Sequence, residues 1–94
     1  MAIEFNPEEL KRGSGLAEEI SIKFKQRDPR ELIRQALEDL SEEPEFPAAR
    51  IKELPQDCTE DILGAELLRV SAWDHRLALE YAEQTWQAYD WKEE

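Results

Sequence analysis

The chain has 94 residues, of which 23 are acidic and 12 basic, giving a formal charge of −11 with 40% apolar side chains. That length holds one domain and excludes a second independent core. Charge of this sign also argues against a duplex-binding surface, which needs a concentrated cationic footprint.

The charge is unevenly spread. Up to Arg34 there are seven bases and seven acids, and the remaining sixty residues hold sixteen acids against five bases. Such asymmetry suits two faces directed toward different partners, or two copies of the chain oriented head to tail. The opening MAIEFNPEEL has neither the basic start nor the apolar run of a leader, and no uninterrupted apolar stretch approaches spanning length. A cytoplasmic protein without membrane contact is therefore expected.

The fold class expected is all-α or mainly α, a compact small helical domain. Residues 1–94 form a single acidic domain, with 28–90 as the principal helical core and 1–27 as a packed arm or ribbon. The phrases NPEE (Asn6 to Glu9) and DPRE (Asp28 to Glu31) each put a capping residue before proline, with glutamate at the third helical position. Both read as helix starts. After Leu10 the run Gly13-Ser14-Gly15 predicts a turn or joint.

In LAEEISIKFKQR, Leu16, Ile20 and Phe24 keep helical spacing while Ile20, Ile22 and Phe24 alternate as in a strand. Helix is the preferred reading of residues 19–25. A short N-terminal β-ribbon pairing this segment with Ile3 and Phe5 is the alternative. Leu32, Ile33, Ala36, Leu37 and Leu40 then form an apolar stripe, predicting a helix of about three turns that ends before Pro44 and Pro47.

A short connector helix is expected from about Pro47 to Leu54. Thr59 can cap the next helix, whose apolar face comprises Ile62, Leu63, Leu67, Leu68 and Val70, with Gly64 allowing close approach of a neighbour. Ser71 and Asp74 have capping-box spacing and predict a kink or restart before the final helix.

Four of the five Trp and Tyr residues fall between Glu80 and Trp91. Helical phase places Trp86 in the core. Trp73, Tyr81, Tyr89 and Trp91 are the candidates for contact with a protein partner, because amphipathic rings anchor interfaces. Lys23, Lys25, Arg27 and Arg30 are candidates for electrostatic contact, and the same patch underlies an alternative reading as a nucleic-acid-binding accessory protein.

No serine elbow, phosphate loop or HExxH pattern occurs, and the lone His75 has no orienting partner that spacing alone would supply. No catalytic residues, cofactor or metal are assigned. Acids surround the lone Cys58, so Asp57, Glu60 and Asp61 should disfavour its thiolate. The expected function is a noncatalytic protein-interaction module, that is, an adaptor, complex subunit or inhibitor that meets a basic partner through an acidic and aromatic surface. The same features also admit a self-associating structural subunit (a homo-oligomer) or a small enzyme without recognisable motifs.

Overall fold

Both proline phrases start helices, as local capping chemistry dictates. In the computed structural model, which describes residues 5–46, 48–55 and 57–89, the Asn6 side chain accepts from the Glu9 amide at 2.8 Å and Glu9 accepts from the Asn6 amide at 3.0 Å. This reciprocal pair satisfies two amides that the first helical turn leaves open. Helix α1 then runs Pro7–Lys23, followed by α2 Pro29–Ser41, α3 Ala48–Lys52, α4 Glu60–Val70 and α5 His75–Ala88. Among the described residues there is no strand, and no helix is long and apolar enough to cross a membrane.

Two expectations about the N-terminal third need correction. Gly13-Ser14-Gly15 is not a joint but part of α1. The β-ribbon is likewise absent among the described residues, with Ile3 lying outside them. Burial explains why the helix prevails: Leu16, Ala17, Ile20 and Phe24 enter the core, whereas Ile22 is 72% exposed. A strand would have placed Ile22 on the same face as Ile20 and Phe24. Lys25, with φ of 54°, turns the chain after Phe24.

Helix α4 is the most enclosed element, since every residue from Leu63 to Leu68 is buried. Leu16 and Ile20 of α1 share its core with Leu32, Ile33 and Leu37 of α2 and Ala78 and Ala82 of α5. Glu66 is wholly buried in this setting, and Arg69 Nε donates to its carboxylate at 2.9 Å. A buried charge without such a partner would be strongly destabilising. Ile51 and Leu54 are buried from the connector side, while Arg34 donates to the Pro55 carbonyl at 2.6 Å and ties the connector to α2.

The most extensive helix pairing is between α1 and α4. A Cβ on Gly13 would lie 2.2 Å from the Asp61 carbonyl oxygen and 2.4 Å from the Ala65 nitrogen, and one on Gly64 would lie 2.1 Å from the Gly13 carbonyl oxygen. These are backbone atoms, which cannot swing aside as a side chain would. Gly15, by contrast, faces open space. Gly13→Ala and Gly64→Ala should each cost about 3 kcal/mol or more by forcing the helices apart. Gly15→Ala should raise stability by about 0.5–1 kcal/mol through helix propensity. Urea denaturation of the three variants checks both signs.

Candidate interaction surface

Helices α2 and α5 pack against each other, and the seam between them is a groove. Its buried floor includes Ala36, Leu40 and Thr85, and its borders include Tyr81, Ala88, Asp39, Glu43 and Gln84. The Tyr81 ring is half-buried and meets Phe46 at right angles, with centroids 6.1 Å apart. Tyr89, 46% exposed at the C-cap of α5, donates its hydroxyl to Asp39 Oδ1 at 3.2 Å. Gln35 Nε2 donates to the same oxygen at 3.1 Å. The charge of Asp39, its hydrogen bond, partial burial and nearby Glu42 together hold the Tyr89 phenol above the ordinary tyrosine range.

Of the four expected aromatic contacts, Tyr81 and Tyr89 are thus both associated with the α2–α5 seam. Trp73 is placed elsewhere: it is half-buried against the core, and its ring meets that of Phe5 edge-on at 6.4 Å. Trp91 lies outside the described residues. Trp86 packs against the core and lies 5.5 Å from the Phe24 ring, although it is half-buried rather than enclosed. Sequence pattern alone does not single out Asp39 and Glu43. Their signal is their nearness in sequence, Asp39 beside the apolar stripe of α2 and Glu43 just past its C-cap, which becomes meaningful only once α5 lies against the helix.

The four cations do not make one uninterrupted positive face. Lys23 pairs with Glu83 at 3.5 Å, and its Nζ lies 5.6 Å from the Phe24 ring. Arg30 makes a two-pronged contact with Asp28, each prong 2.9 Å long. Arg27 and Arg30 border an open cleft that also contains Asp28, Glu60 and Asp61. Lys25 is exposed at the left-handed turn.

His75 Nε2 lies 2.8 Å from Glu19 on α1, while Glu66 pairs with Arg69 and Glu83 with Lys23. Cys58 is buried, and burial is the main reason its thiol pKa is raised. Asp57 and Asp61 add to the rise while Arg34 opposes it. Among the described residues, no three His, Cys, Asp or Glu side chains gather in a way that could hold a metal ion. No protein-family model, curated protein or solved structure matches the chain.

Two ionisations report on this geometry. The Arg30 hydrogen bond chiefly lowers the Asp28 pKa, with burial opposing it. A lowered carboxylate pKa contributes stability above the unfolded-state pKa that is lost as pH falls through the folded one. Asp28→Ala should therefore cost about 1 kcal/mol at neutral pH as a lost helix cap, and the deficit should narrow in acid; denaturation at both pH values measures it. In a Tyr81→Phe background, Asp39→Asn should move the Tyr89 titration down toward ordinary tyrosine, as read by phenolate absorbance.

Proposed function

We propose that this protein is a noncatalytic interaction module, an adaptor, complex subunit or inhibitor of the cytoplasm, that binds a protein partner of basic surface through the α2–α5 face. The observation that carries this reading is the juxtaposition of Tyr81 with Asp39 and Glu43 along one groove, with Tyr89 bonded to Asp39. Aromatic side chains provide contact area at little entropic cost, and acidic groups beside them favour encounter with a cationic protein. Trp73 is a secondary contact in this reading, since its packing with Phe5 leaves it half-buried rather than enclosed.

The test is to identify partners by cross-linking in the native cell and then measure binding rates against salt. Rising salt should slow association, because the attraction is screened. Tyr81→Ala and Tyr89→Ala, shown to retain native helicity, should together speed dissociation by about tenfold or more if the rings anchor the complex. If cross-linking finds no specific heterologous partner, the interaction-module reading is wrong. A partner that binds with unchanged rates to both tyrosine variants would place the contact on another face.

A further inference from the structure

Some acids among the described residues are held by a basic side chain and others are not. Asp28 is held by Arg30, Glu66 by Arg69, Glu83 by Lys23, Glu8 by Arg12 and Glu19 by His75. Asp39 and Glu43 pair with no cation among the described residues. Asp39 instead accepts from two neutral donors, Gln35 and Tyr89, both at Oδ1. Those bonds fix the direction of the carboxylate without cancelling its charge. Its Oδ2 accepts no hydrogen bond among the described residues, and Glu43, just past the C-cap of α2, borders the same groove as Tyr81.

We infer that the groove is an arginine-binding site, taking an arginine side chain from a basic segment of a partner protein. This rests on the interaction-module reading and adds the chemistry of the group recognised. The stem of an arginine can lie along Ala36, Leu40 and Thr85, since its methylenes are apolar. Its guanidinium then meets Asp39 and Glu43 and the Tyr81 ring. Guanidinium is planar, weakly hydrated and forked, so it can stack on an aromatic ring while donating to carboxylates. A lysine ammonium gains the same charge attraction but is compact and strongly hydrated, and it makes no planar stack. Charge complementarity thus selects a cation, and the ring with its apolar floor selects arginine over lysine.

The experiment titrates the intact chain with hexa-arginine and, separately, hexa-lysine, following backbone amide shifts by NMR. Hexa-arginine should move the amides of Asp39, Glu43, Gln84 and Ala88 and bind about fivefold or more tightly than hexa-lysine. Asp39→Asn with Glu43→Gln should weaken hexa-arginine by about tenfold and abolish the preference. Glu18→Gln with Glu53→Gln, an equal change of net charge on exposed residues outside the groove, should alter affinity by no more than about twofold. Tyr81→Phe should retain the preference, and Tyr81→Leu should lose it while keeping native helicity.

Equal affinity for the two peptides, shifts scattered over the acidic surface, or equal weakening by the control pair would each overturn the site. So would groove amides that move on dilution together with a dimer in sedimentation, because the occupant would then be a second copy of the chain. The two readings fail separately. A native partner that binds the Asp39→Asn, Glu43→Gln protein unchanged would sink the arginine site and leave the module standing. Absence of any native partner would sink the module, while the peptide titration still reports the groove's own selectivity.

Discussion

Gly13 of α1 and Gly64 of α4 bring two helix backbones into direct contact, and the rest of the packing is arranged around that approach. Side chains normally hold helix axes about 8–10 Å apart, and removing both Cβ atoms lets α1 close on α4 at this crossing. With α1 so near, and α2 and α5 also packed on it, α4 is buried at six successive positions. A helix buried on so many sides leaves no solvent-facing outlet for a charged residue at its middle. Glu66 therefore meets Arg69 of its own helix, whose side chain is only partly exposed. A well-packed apolar pair could be as stable there, since the attraction of a buried pair must offset the desolvation of both ions.

The same enclosure demands a tight exit from α4. Ser71 is fully buried and donates its hydroxyl to the Leu67 carbonyl at 2.7 Å, closing α4. Ala72 and Trp73 follow with φ of 56° and 61°, a left-handed pair without glycine. Each such residue costs roughly 1 kcal/mol or more relative to ordinary backbone, so surrounding contacts must hold the turn. The Trp73 ring contributes by packing on the core, and Asp74 caps α5 by accepting from the Arg76 and Leu77 amides. This turn sets the course of α5 and, through it, brings Tyr81 and Tyr89 to α2. The chemistry of the groove consequently depends on strained backbone eight residues before the first of those rings.

What can be read in the sequence follows the range of the forces involved. Asn6 and Asp28 announce their helices because a cap acts within three residues, and the stripe from Leu32 to Leu40 announces its buried face because periodicity is local to the helix. Gly13 misleads for the opposite reason. In isolation a glycine in a Gly-Ser-Gly run weakens a helix, while its use here is contact with a helix some fifty residues away. The role of Gly64 in close approach is legible, but its partner is not. Ser71 and Asp74 do mark a break, yet Ser71 closes one helix and only Asp74 opens the next. Tyr81 and Tyr89 stand out by residue type and position; their association with Asp39 and Glu43 is tertiary, and no spacing along the chain encodes it.

Charge shows how a pattern in sequence becomes one in space. The N-terminal third is balanced in isolation, but folding commits some of its groups to acids and bases further along. Lys23 of α1 reaches Glu83 of α5, and Glu19 of α1 meets His75 at the start of α5. These contacts join the two helices at exposed sites, where an ion pair such as Lys23–Glu83 contributes at most about 1 kcal/mol. Their larger consequence is spatial. Lys23 is drawn to Glu83, and Arg27 and Arg30 border Asp28 and the start of α4. Among the described residues no cation is paired at the α2–α5 seam, where Asp39 is oriented by neutral donors instead. Asp39 and Glu43 are thus left without a cation in the groove that Tyr81 borders, with Tyr89 bonded to Asp39, and the fold rather than the composition sets that placement.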